Sequence, residues 1–191
     1  MQAARYLLAA TQMGEKNSDR QDRIILVDEN DAPVGTEEKI RAHLRGHLHR
    51  AFSIFIFNSK GDLLLQKRAK EKYHSGALWS NTCCGHPKPG DRTKDAALRR
   101  LIEEMGFSCP LTEPFSFSYK AKLENGLTEN EYDHVFYGYF DGQPNPSKLE
   151  VEDWKWVPVD HLITDIRANP HDYTPWLMIC VERISEFSLP G

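Results

Sequence analysis

Nowhere in this chain of 191 residues do apolar side chains run on for anything near the roughly twenty positions that a helix needs to span a bilayer. The apolar stretch Tyr6–Ala10 is too short for the hydrophobic part of a secretory leader, and no membrane partner is expected. Cysteine is scarce: there are four, and two of them, Cys83 and Cys84, are adjacent, which is no pattern for a disulfide framework. Reduced thiols in a cytoplasmic setting are the expectation, and such thiols are available for chemistry. No internal repeat, low-complexity tract or linker divides the sequence, so residues 1–22 read as a tail and residues 23–191 as a single domain. The formal charge of −4 offers no bulk attraction to nucleic acid, and no such partner is expected. A local basic cluster can still hold a small anion, and a monomer or weak dimer is the expected state.

What is present is the alternation of a mixed protein. Arg23–Val27 reads as a strand, and Asp28–Gly35, with Asn30, Asp31 and Pro33, turns toward a second one. Ala51–Phe57 is a near-continuous apolar run with β-branched and aromatic residues, the pattern of a strand buried on both faces. Asn58–Asp62 turns the chain into Leu63–Arg68, which predicts a hairpin. Thr93–Met105 reads as an amphipathic helix with Ala97, Leu98, Leu101, Ile102 and Met105 on its apolar side and Arg100, Glu103 and Glu104 beside one another on another face. Gly106 suits a left-handed cap after it. Strands Phe115–Leu123 and Glu129–Phe140 flank a turn at Glu124–Gly126. A strand at Trp154–Val157 and helices at Val159–Ala168 and Pro175–Phe187 follow. The fold class is α/β, a mixed sheet sandwiched between helices.

Three groups of residues can do chemistry. His43, His49 and His86 with Glu129 and Glu131 offer three imidazoles and two carboxylates, a donor set for an octahedral or near-octahedral Mn2+, Mg2+ or Zn2+. Glu129 and Glu131 are two apart on a strand and so share a face, while His47 rivals His43 for the remaining place. Cys84, in the loop Asn81–Pro87, and Glu131, with Tyr119 to help, can act as an acid and base pair on opposite walls of one pocket. Cys83 is expected to point away, and Cys109 and Cys180 read as small buried hydrophobes. Lys39, Arg68, Lys72 and Arg100, with Arg99 nearby, suit a diphosphate, since arginine grips phosphate oxygens as a planar fork and lysine adds a compact charge.

Five motifs in order, Gly35-Thr36-Glu37-Glu38-Lys39, Leu48-His49-Arg50-Ala51-Phe52, Trp79-Ser80-Asn81-Thr82-Cys83-Cys84-Gly85-His86-Pro87, Glu129-Asn130-Glu131 and Thr174-Pro175-Trp176, resemble the type I isopentenyl-diphosphate isomerases. These are members of the Nudix superfamily, and the resemblance runs from about Arg23 to the C-terminal helix. It implies a Nudix-like sheet between helices and a protonation and deprotonation through a carbocation that turns isopentenyl into dimethylallyl diphosphate for isoprenoid biosynthesis. Cys84 and Glu131 match the acid and base positions, Tyr119 helps proton delivery, and Trp176 faces the cation. His43, His49, His86, Glu129 and Glu131 match the metal site, and Glu104 matches the ligand of a Mg2+ that bridges the substrate. Lys39, Arg68, Lys72 and Arg100 match the diphosphate contacts. The Nudix box itself is degraded, because Asp91 replaces one glutamate and Arg100 another. That loss weakens the competing expectation, a Nudix hydrolase of nucleoside diphosphate derivatives, and a non-catalytic metal-binding module would have no use for Cys84 or Trp176.

Overall fold

The computed structural model describes residues 22–184. The tail read over residues 1–22 lies, but for Asp22, outside them, as do the last residues of the helix expected to reach Phe187. Nine strands form one sheet: β1 (Arg23–Val27), β2 (Pro33–Glu38), β3 (His49–Phe57), β4 (Asp62–Arg68), β5 (Trp79–Ser80), β6 (Cys83–Gly85), β7 (Thr112–Lys122), β8 (Thr128–Tyr139) and β9 (Val151–Pro158). Among the described residues the α-helices are α1 (Lys39–Arg45), α2 (Thr93–Met105), α3 (Val159–Ala168) and α4 (Pro175–Ile184).

Strand β3 is the hub. It runs parallel to β8 along its whole length, from His49 opposite Glu131 to Phe57 opposite Tyr139. On its other side Ser53 lies opposite Cys84 of β6. The pleat of β3 sends Phe52, Ile54 and Ile56 against Ala96, Ala97, Leu101 and Met105 of α2. Phe55 and Phe57 go the other way, into a second core completed by Leu162 of α3 and by Leu177, Cys180 and Val181 of α4. The strand is therefore apolar on both faces because a helical layer covers each, as its composition implied.

Two expectations need correction. The hairpin of β3 and β4 turns where expected, but its ladder contains a single pair, Phe57 opposite Leu63. The strands then part around the segment 81–83. There Thr82 Oγ1 accepts a hydrogen bond from the Ile56 amide at 3.0 Å and donates to the Leu64 carbonyl at 2.6 Å. Asn81 Nδ2 likewise donates to the Ile54 carbonyl at 3.2 Å. Buried polar side chains thus replace the missing ladder bonds, as buried backbone groups require. Helix α2 is also rotated from its expected facing: Ile102 is 52% exposed whereas Glu104 is only 3% exposed. The buried stripe follows Ala97, Leu101, Glu104 and Met105, and Ile102, about 100° around from Leu101, falls outside it. Gly106 does end the helix in the left-handed region at φ 76°.

Candidate active site

The ends of β3, β6 and β8 open into a cleft of about 810 Å³. His86, the residue after β6, and Glu129 and Glu131 of β8 line it, and beside them lie His43 of helix α1, which sequence patterning missed, and His49 of β3, both fully buried. One ligand atom from each of these five lies within 4.8 Å of all the others. Glu129 Oε2 is 2.9 Å from His43 Nε2 and 3.8 Å from His49 Nε2. Glu131 Oε1 is 2.8 Å from His86 Nε2 and 3.6 Å from His49 Nε2. The far ring nitrogens are anchored by backbone: His43 Nδ1 meets the Lys39 carbonyl at 2.7 Å and His49 Nδ1 the His47 carbonyl at 2.8 Å. Both rings therefore aim Nε2 inward, the arrangement that orients imidazole ligands toward a metal. His43 Nε2, His49 Nε2 and Glu129 Oε2 are fully buried, and among the described residues they find no partner in hydrogen-bond geometry. Orphaned buried acceptors are what a divalent cation would satisfy, and this set fits one. His47, the rival of His43, turns outward, its Nδ1 2.7 Å from Glu37 Oε2.

Glu131 also accepts a hydrogen bond from the Tyr119 hydroxyl, 2.5 Å from Oε2. Burial works to raise the Glu131 carboxyl, but the His49 and His86 rings outweigh it and hold the group well below the usual carboxylate range. Burial brings His86 down to about 3 against the opposing pull of Glu131, and pushes Tyr119 well up. Cys84 lies on strand β6, where a loop was expected, and stands across β3 from Glu131. Burial pushes its thiol up to about 12, although the neighbouring Arg68 opposes the shift. Cys83, the next residue on the pleat, is buried on the α2 side.

Trp176 is buried at the start of α4, its indole N–H donating to Ser80 Oγ at 3.0 Å and Asn81 Oδ1 at 3.1 Å. The Arg68 guanidinium lies over the ring, 5.2 Å from its centre, with NH1 4.0 Å from Cys84 Sγ. Arg68 is held by the Ser75 and His74 carbonyls at 3.1 and 3.3 Å. Lys72 and Arg100 converge instead on Glu150: Lys72 pairs with Oε2, and Arg100 reaches Oε1 at 3.3 Å. Arg100 also pairs with Glu103 at 2.8 Å and with Glu104 Oε1, whose other oxygen accepts from Gln66 at 3.0 Å. The Lys39 ammonium stands 4.7 Å from the centre of the Tyr73 ring. Arg99 turns to Asp91 at 2.7 Å.

Glu150 and His74 were not singled out by the sequence. Glu150 immediately precedes β9, and an acidic residue there carries no signal of its own. His74 sits in the polar loop 69–78 that joins β4 to β5. Burial, reinforced by the charge of Arg68, keeps its ring well below the usual imidazole range.

A NUDIX domain matches residues 47–177. The Isopentenyl-diphosphate Delta-isomerase 1 of Aromatoleum aromaticum is 56% identical over 164 residues, 86% of this chain and 93% of that protein. The Isopentenyl-diphosphate Delta-isomerase of Pectobacterium atrosepticum is 48% identical, covering 86% of this chain and 92% of its own. Among solved structures, a Deinococcus radiodurans protein superposes with a TM-score of 0.73 at 23% identity, covering 85% of this chain and 98% of its own. The MutT protein of Methanosarcina mazei Go1 superposes with a TM-score of 0.61 at 18% identity, covering 73% and 94%. The structural likeness at that identity carries the fold alone, and the curated relatives refine it. The domain match and the identity to these relatives over most of both chains show the family: the chain belongs to the isopentenyl-diphosphate Delta-isomerase family of the Nudix superfamily.

Proposed function

We propose that this protein converts isopentenyl diphosphate to dimethylallyl diphosphate, with Cys84 and Glu131 as its two proton-transfer groups. The observation that carries the reading is that β6 and β8, on either side of β3, bring Cys84 and Glu131 to one cleft. A thiol pushed up to about 12 enters the reaction with its proton, and a carboxyl held well below its usual range enters without one. Cys84 gives its proton to the terminal carbon of the alkene, and a tertiary cation forms beside the Trp176 ring. An aromatic face is worth about 2 kcal/mol or more to a desolvated cation. Glu131 then takes a proton from the carbon on the diphosphate side of the cation, with the Tyr119 hydroxyl holding its other oxygen. The cycle leaves Cys84 without a proton and Glu131 with one, and exchange with water restores both.

His43, His49, His86, Glu129 and Glu131 would hold a divalent ion of the Mn2+, Mg2+ or Zn2+ kind. When bound, it would supply positive charge that fixes Glu131 and tunes its acidity. Lys39, Arg68, Lys72 and Arg100 face the same cleft and would take the diphosphate. Glu104 would serve a Mg2+ that arrives with it, and its oxygens are now occupied by Arg100 and Gln66. Arg100, which now pairs with Glu104, would serve the phosphate. The pathway is isoprenoid biosynthesis in a reducing compartment such as the cytoplasm, consistent with four cysteines that are all unpaired.

The hydrolase alternative is disfavoured by the pairing of Asp91 with Arg99 and of Arg100 with Glu103 and Glu104. The test is to incubate the protein with isopentenyl diphosphate and Mg2+. Dimethylallyl diphosphate without released phosphate is expected, and phosphate release without isomerisation overturns the reading.

A further inference from the structure

His74 belongs neither to the five converging ligands nor to the proton-transfer pair, yet it is only 6% exposed and its ring lies between one of those ligands, Glu129, and Trp176. Its Nε2 lies 3.2 Å from Glu129 Oε1, and its Nδ1 lies 3.2 Å from Ser75 Oγ. The two oxygens of Glu129 are thereby divided. Oε1 meets His74, while Oε2 alone faces His43 and His49. The same ring stands edge-on to Trp176, with centres 5.7 Å apart and planes at 89°, and it stacks on His43 at 5.9 Å.

The backbone around it is made to hold this pose. Ser75 and Ala77 adopt positive φ of 50° and 63° without being glycine. A Cβ on Gly76 would meet the Lys70 carbonyl oxygen at 2.6 Å, so the loop folds on itself too tightly for any other residue there. Arg68 then clamps the loop through the His74 and Ser75 carbonyls. Non-glycine residues persist in the left-handed region only where the surroundings over-determine them. Here the result is a ring fixed between a carboxylate and an indole.

We propose that His74 is a positioning residue for the metal centre: its Nε2–H holds Glu129 Oε1, so that Glu129 presents only Oε2 to the ion, and its ring edge sets the Trp176 indole. The inference rests on the metal-site reading above. A group that donates to a ligating carboxylate typically changes metal affinity by roughly 10- to 100-fold when removed.

The test separates the two contacts. His74→Phe keeps a ring edge against Trp176 and loses the donor, whereas His74→Gln keeps a donor of similar reach and loses the ring. The chelator-stripped proteins are titrated with Mn2+ and Zn2+ against a competing fluorescent chelator, and kcat and KM are measured separately on the reloaded enzymes. His74→Phe is expected to bind each metal roughly 10- to 100-fold more weakly. His74→Gln should bind within a few-fold of the parent but with a reduced kcat and an unchanged KM. Parent affinity in a folded His74→Phe overturns the proposal. So does a loss in His74→Gln as large as in Glu129→Gln, since His74 would then be a ligand rather than a support. The His74→Gln result decides by itself if His74→Phe does not fold. If the parent binds no metal, or Glu129→Gln binds as the parent does, the metal-site reading fails instead.

Discussion

Cys83 and Cys84 are neighbours with opposite fates, because the pleat of β6 turns one into the α2 core and the other into the cleft. Cys84→Ser keeps the shape and removes the thiol proton donor, so turnover should fall by about a hundred- to ten-thousandfold with the diphosphate contacts intact. Near-parent turnover would remove Cys84 from the chemistry. Its elevated thiol, up to about 12, has a second consequence. Reaction with iodoacetamide should be slow at pH 8 and accelerate only as the pH nears 12, and rapid alkylation at pH 8 contradicts the burial argument. The stability sign follows from the same shift. A thiol whose folded value is raised favours the fold below its unfolded value, about 8.5, and that contribution disappears as pH rises toward 12. Residue types were legible in the sequence because thiol, imidazole and paired carboxylates announce their chemistry. His43 and His47 were not separable, since only α1, unseen in the pattern, turns one inward and leaves the other to Glu37. His74 and Glu150 depend on where loops fold, and nothing in their neighbours encodes that.

Elements were legible where their period is long and local. Helix α2, the β7–β8 hairpin and the run of β3 all lie within a few residues of expectation. Partner choice was not, and the parted β3–β4 pair shows why: the turn at Asn58–Asp62 is local, but the wedge that splits the strands comes from residues 81–83. Thr82→Val keeps the volume and leaves the Ile56 amide and Leu64 carbonyl unpaired, at about 1–3 kcal/mol for each buried group. Urea denaturation checks this, and a change below about 0.5 kcal/mol would show that the wedge carries no weight. Gly106→Ala should be at least as severe. A Cβ there would meet the Asn145 carbonyl oxygen at 2.2 Å, in a backbone already at φ 76°. Arg100→Glu, by contrast, should raise KM without producing a hydrolase, because Asp91 remains tied to Arg99. Phosphate release from nucleotide sugars by that variant would show that the box needs only this one carboxylate.

At the scale of the molecule, the His/Glu cluster joins α1, β3 and β8 to the residue that follows β6. A metal held there stabilises the fold by mass action, about 2.7 kcal/mol at a hundredfold excess over Kd. Chelation should therefore lower Tm by about 5–10 °C for a chain of this size. His86→Ala should start from the lower Tm and show no further drop, and an equal drop in both proteins would place the ion elsewhere. The parallel register of β3 and β8 bears on how the protein is made. His49 meets Glu131 only after β4, β5, β6, α2 and β7 have been synthesised, and non-local pairings of this kind close late. A nascent chain halted on the ribosome before β8 emerges would carry the cleft's thiol and three histidines without the carboxylates that gather them, and so should acquire neither metal nor activity until translation is nearly finished.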